Sequence, residues 1–140
     1  MTHQKLIPKV LVSACLVGLC TRYDAKIKKN GTCLAAIKNT HWIPVCPEQL
    51  GGLATPREAA SLIGGTGADV LEHKASVVTR TGMDVTTQFI HGAEQVLQLA
   101  RQLQIKKAYL KAKSPSCGVH QVLGVTSALL QKHGIELIEF

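Results

Sequence analysis

Aromatic side chains are scarce in this chain of 140 residues, which has one Trp, two Tyr and two Phe. That scarcity argues against a platform on which nucleic-acid bases stack, and no RNA-recognition signature is present. Long apolar runs are missing too. The opening stretch is interrupted by Pro8, Lys9 and Ser13, so it is too broken for a membrane-spanning helix, and it lacks the small-residue cleavage site of an export signal. It reads as a buried strand followed by a loop, and the expected location is cytoplasmic. Paired C-x-x-C units are absent, which removes the usual framework of structural zinc. No histidine pair has the spacing of a zinc-enzyme motif. The five cysteines are odd in number and come without an export signal, so a disulfide framework is not expected.

Acidic residues are few as well, 9 against 16 Lys and Arg, for a net charge of +7. Such an excess favours solubility and anionic partners. It fits a solvated basic face, and it leaves open a nucleotide-sized substrate or contact with tRNA. Hydrophobic residues make up 46% of the chain and charged ones 18%, which places it among globular proteins. A chain of this length suits a single domain, residues 1–140, that buries roughly 70% of its unfolded surface.

Strand-like runs at Lys9–Ala14, His41–Val45, Lys107–Ala112 and Ile135–Glu139 alternate with helical ones. The helical runs are Gly31–Lys38 behind Asn30 as a cap, Thr87–Gln104, and Gly124–His133 followed by Gly134. In the longest of these, Phe89, Ile90, Ala93, Val96, Leu97, Ala100 and Leu103 form one apolar face. Thr55-Pro56-Arg57-Glu58 predicts a further helix start, with Thr55 as cap, Pro56 at the first position and Glu58 closing a capping box, running to Ile63. Ala75–Arg80 and Met83–Thr86 around Thr81-Gly82 predict a short hairpin or strand-loop. The alternation implies an α/β fold: a mostly parallel sheet, helices on both faces, and the site at the carboxyl ends of the strands.

Three cysteines fall at equivalent places in that scheme. Cys15 follows the first strand, Cys46 the second, and Cys117 the Lys107–Ala112 strand after a short loop. Parallel strands would bring the three thiols to one site from three loops. Gly18, Gly51, Gly52 and Gly118 nearby allow close approach of backbone to a bulky ligand. Three dispersed thiolates suit an iron–sulfur cubane with one iron left open. A zinc Cys₃His site using His120 and a site without metal are the alternatives. Cys33 sits in an apolar helical setting and reads as core, and Cys20 as an ordinary loop thiol. Glu48, two residues after Cys46, suits a proton donor or base, or else a surface ion pair. Ser114, three residues before Cys117, can position a substrate or bond to loop backbone. Arg22 and Asp24 can pair to brace the first cysteine loop. Arg57 can meet an anionic group or lie solvated in a first helical turn.

Ser13-Ala14-Cys15-Leu16-Val17-Gly18 with Arg22-Tyr23-Asp24, Cys46-Pro47-Glu48 with Gly51-Gly52-Leu53 and Pro56-Arg57, and Lys113-Ser114-Pro115-Ser116-Cys117-Gly118 together resemble the thiouracil desulfidase (TudS-type) family. The resemblance spans nearly the whole chain. It implies an enzyme with a [4Fe–4S] cluster held by Cys15, Cys46 and Cys117, whose open iron takes the sulfur of a thiouracil. It also implies catalytic roles for Glu48 and Ser114, and hydrolytic cleavage of a C–S bond in a small thiolated nucleobase or nucleoside, releasing a uracil-type product and hydrogen sulfide. Two departures stand out: Ala25 where a glycine is usual after Tyr-Asp, and Glu58-Ala59 where a proline-containing segment is common. The contrasting functional class is a zinc- or thiol-based module that binds RNA or handles sulfur for a partner.

Overall fold

Val10, Leu11 and Val12 follow one another in β1 (Lys9–Ser13), and all are excluded from solvent. A strand apolar on both faces belongs in a sheet that is covered on both sides. The computed structural model, which describes residues 6–140, places it there. β1 lies between β2 (His41–Val45) and β5 (Lys107–Leu110), and β6 (Glu136–Glu139) extends the sheet beyond β5; all four strands are parallel. Pro44 lies on β2, an edge strand, where a missing N–H is tolerated.

Each face of this sheet carries its own core. Leu11, Val45, Ala108 and Leu110 pack with Val96, Leu97 and Ala100 of α4 (Thr86–Leu103) and Leu130 of α5 (Val125–Lys132). Val10, Val12 and Tyr109 pack on the other side with Cys33 of α1 (Gly31–Ala36) and with Ile37. Asn30 caps α1 as expected, its side-chain oxygen accepting the Cys33 N–H at 2.9 Å. α4 is longer than the sheet needs. Its first half, with Phe89 and Ala93, joins a second core built with Val70 of α3 (Gly67–Leu71) and Val77 of β4 (Ser76–Thr79). No helix among the described residues is long and apolar enough to cross a membrane.

One expectation fails in the segment between β2 and α4. The helix expected from Thr55 to Ile63 does not form; the chain is irregular there and then enters β3 (Ala60–Ile63), paired antiparallel with β4. The presumed capping groups are used elsewhere. The Thr55 hydroxyl accepts from Gln49 and Arg57, Glu58 accepts the Thr81 hydroxyl at 2.8 Å, and the Arg57 N–H donates to the Tyr23 carbonyl at 2.8 Å. Ala60 and Leu62 pack inward while Ser61 and Ile63 face out, so the local period is two. The turn at Thr81-Gly82 is present, with Thr79 N–H bonded to the Met83 carbonyl, but β4 takes β3 as its main partner and meets the far arm in one bridge, Val78 to Asp84. The short helices α2 (Pro47–Leu50) and α3 went unforeseen.

Glycines set how closely α4 and α5 approach the cysteine loops. A Cβ on Gly92 would collide with the Pro47 carbonyl, and one on Gly51 with the Gln88 carbonyl, so α4 lies directly on α2. Likewise, a Cβ on Gly124 would run into the backbone of Ser116. Gly92→Ala therefore overpacks the α4–α2 contact. The variant is expected to lose about 1–3 kcal/mol of stability in thermal or chemical unfolding; an unchanged melting temperature would show that α2 is free to shift.

Candidate functional site

The loops after β1, β2 and β5 enclose a pocket of about 340 Å³ that is lined by Cys15, Cys46, Cys117, Glu48 and Ser114, among others. All five sequence-predicted site residues are thus brought to one cavity at the carboxyl edge of the sheet. Its size falls in the lower range of sites for cofactors and small ligands.

Each thiol is delivered by a different local structure. Cys15 sits in a 3₁₀ turn, Ala14–Val17, directly after β1. Cys46 immediately precedes α2, whose first residue is Pro47, a position where proline's missing N–H is harmless. Cys117 lies in a tight turn closed by the Gly118 N–H on the Ser114 carbonyl at 2.9 Å. The start of α5 clamps this turn. Val125 N–H donates to the Pro115 carbonyl, Thr126 and Ser127 N–H donate to the Ser116 carbonyl, and the Ser127 hydroxyl donates to the Cys117 carbonyl at 2.7 Å. Glu139 at the end of β6 accepts the N–H groups of Val119 and His120, at 2.6 and 3.0 Å, and fixes the exit of the loop.

The donor set is almost purely sulfur. Cys15 and Cys46 are half-buried and Cys117 is buried. Burial pushes the Cys117 thiol up to about 12 and also raises Cys15, an effect on Cys15 that nearby Lys111 partly offsets. Uncompensated thiolates are therefore disfavoured here, and a cationic group is what would hold the sulfurs as ligands. Among the described residues, no three His, Cys, Asp or Glu side chains stand close enough to share one metal ion. His120, the fourth ligand of the zinc alternative, is not among the residues lining the pocket. This all-sulfur donor set suits a soft, metal-containing group large enough to span the pocket better than a single zinc ion.

Glu48 is held on both sides. Its Oε1 accepts from Arg57 Nε at 3.0 Å, in an ion pair whose side chains are only 10% and 14% exposed. Its Oε2 accepts from the Ser116 hydroxyl at 2.9 Å. Arg57 also donates to the carbonyls of Thr21 and Ala54, so it is neither solvated nor in a helical turn but ties the first two cysteine loops together. Ser114 does bond to loop backbone: its Oγ accepts the N–H groups of Ser116 and Cys117, each at 3.2 Å.

The remaining expectations can be placed as well. Arg22 and Asp24 form the two-pronged pair, at 3.0 and 2.9 Å, and the pairing holds the Asp24 carboxyl well below the usual range. Cys33 is in the core and pushed up to about 11 by burial, while Cys20 is exposed and donates to the Ala25 carbonyl. Ala25 itself has φ of +57°, which explains why glycine suits that position. Sequence reasoning missed Ser116, Lys111 and Lys113, all lining the pocket. The only signal for Ser116 was its place between Ser114 and Cys117.

Known proteins resemble this chain in sequence and in fold. The family described as 2-thiouracil desulfurase matches residues 10–139. A solved structure described as the [4Fe-4S]-dependent thiouracil desulfidase TudS superposes with a TM-score of 0.74 at 37% identity, covering 94% of this chain and 90% of that one. The uncharacterised protein YbbK of Bacillus subtilis (strain 168) is 38% identical over 141 residues, 92% of this chain and 93% of its own length.

Arg57 gives the site its most direct mutational test. Arg57→Ala removes the partner of a largely buried carboxylate and is expected to cost about 2–4 kcal/mol in chemical unfolding. Arg57→Lys keeps the charge but not the fork, and should recover less than half of the loss. Equal stability of parent and Arg57→Ala would mean that the pair does not brace the loops.

Proposed function

The chain belongs to the 2-thiouracil desulfurase family, and from that membership we propose that it removes sulfur from thiouracil or a related thiolated pyrimidine base or nucleoside. Cys15, Cys46 and Cys117 would hold a [4Fe–4S] cluster, with residues 1–140 acting as one iron–sulfur domain. The observation that carries this reading is the convergence of three thiols from three separate strand ends on a pocket that also contains Glu48 and Ser114.

When bound, the cluster supplies a Lewis-acidic iron able to accept the thiocarbonyl sulfur. The chain supplies the rest. Glu48, oriented by Arg57, takes a proton from the water that attacks the ring carbon. Ser114 orients the ring or assists that transfer. A C–O bond forms, the C–S bond breaks, and the sulfur departs as hydrogen sulfide. One water is consumed per sulfur released, and no electrons enter or leave, so the reaction is hydrolytic. Lys111 and Lys113 at the pocket give it a positive setting that favours an electron-rich thiolated ring.

Cysteine replacement tests the ligand assignment. Purified without air, Cys15→Ser, Cys46→Ser and Cys117→Ser should each lose iron, acid-labile sulfide and brown colour. Cys20→Ser should keep all three, and its loss of the cluster would overturn the assignment. Glu48→Gln is expected to keep the cluster and lose about 100-fold or more in sulfide release from 2- or 4-thiouracil. Full activity in that variant would remove Glu48 from the reaction.

A further inference from the structure

We propose that Ser116 is a positioning residue that ties Ser114 to Glu48 and carries a proton between them; the inference rests on the desulfurase reading above. Ser116 is 2% exposed, yet its hydroxyl contacts three polar groups. Its Oγ lies 2.9 Å from Glu48 Oε2, 2.9 Å from Ser114 Oγ and 3.7 Å from Cys117 Sγ. A serine has one proton to donate. Glu48 and Ser114 stand at the same distance, and the charged carboxylate is the stronger acceptor, so that proton goes to Glu48.

The direction of the other bonds then follows. Ser116 Oγ must accept from Ser114, so Ser114 points its own proton at Ser116. The Ser114 oxygen in turn receives two backbone N–H groups, from Ser116 and Cys117. The result is a one-way chain, Ser114 to Ser116 to Glu48, anchored at its far end by Arg57.

This arrangement allows a balanced transfer that continues the step in which Glu48 takes the proton of the attacking water. The new Glu48 O–H bond breaks as an O–H bond forms on Ser116, the original Ser116 O–H bond breaks as one forms on Ser114, and the original Ser114 proton passes to the departing sulfur, which leaves Glu48 a carboxylate again. Ser116 thus makes the behaviour of Ser114 depend on where the proton of Glu48 resides, without itself touching the reacting atoms.

Two variants and two readouts besides turnover decide the matter. Ser116→Ala should bind iron and sulfide like the parent and keep KM for thiouracil within about twofold, while kcat falls about 10- to 100-fold. Ser116→Thr, which retains a hydroxyl, should recover most of kcat. Unchanged kcat in Ser116→Ala, or equal losses in both variants, would overturn the proposal. In the unmodified enzyme, the single-turnover rate plotted against deuterium fraction should bow, since more than one proton moves in the transfer; a straight line would contradict the relay. In the cluster-free protein, the infrared carboxylate band that disappears in Glu48→Gln should shift in Ser116→Ala, and an unshifted band would break the tie. If the parent carries a cluster yet leaves thiouracil intact, the desulfurase reading fails, while the infrared band still decides whether Ser116 holds Glu48.

Discussion

Parallel alignment of β2, β1 and β5 is the constraint from which the site follows. Strands running the same way end at the same edge, and the residue after each is delivered to that edge whatever the intervening sequence does. Ser13 of β1 stands opposite Val45 of β2, so Cys15 and Cys46 emerge almost side by side. The Ser13 hydroxyl, buried at the end of β1, accepts the Lys111 N–H at 2.9 Å and binds the end of β5 to the same level. Antiparallel pairing of any one strand would send its cysteine to the opposite edge.

Keeping the thiols in place is a separate task, and backbone contacts perform most of it. α4 presses on α2 through Gly92 and Gly51, and the start of α5 presses on the Cys117 turn through Gly124. Glu139 and Arg57 then pin the loops electrostatically, the first to backbone N–H groups and the second to backbone carbonyls. The pocket is consequently built on rigid elements, although its functional groups lie on loops. Precise placement matters because proton transfer depends steeply on distance and alignment.

Much of this was legible from residue order. Val10–Val12 announced a doubly covered strand, the apolar face of α4 its helix, and the position of each cysteine after a strand the edge where it would appear. The segment from Gly52 to Leu71 was not legible in the same way. Thr55-Pro56-Arg57-Glu58 has every local mark of a helix start, but its side chains find long-range partners in Gln49, Thr81 and Glu48 that no local pattern encodes. α3 is only five residues long, too short for periodicity to register. Its one signal was Thr66 with Asp69 three residues later, whose carboxylate accepts the Thr66 N–H at 2.8 Å. Ser116 was invisible for a different reason: its importance lies in facing Glu48 across 68 positions of sequence, a relation set by the sheet alone.

Mössbauer spectroscopy of the anaerobically isolated protein, with and without thiouracil, tests the central claim most directly. Three cysteine thiols in one pocket predict a cluster with three similar irons and one distinct iron, and only the distinct iron should change when thiouracil is added. Four equivalent irons indifferent to thiouracil, or no iron retained at all, would contradict the account.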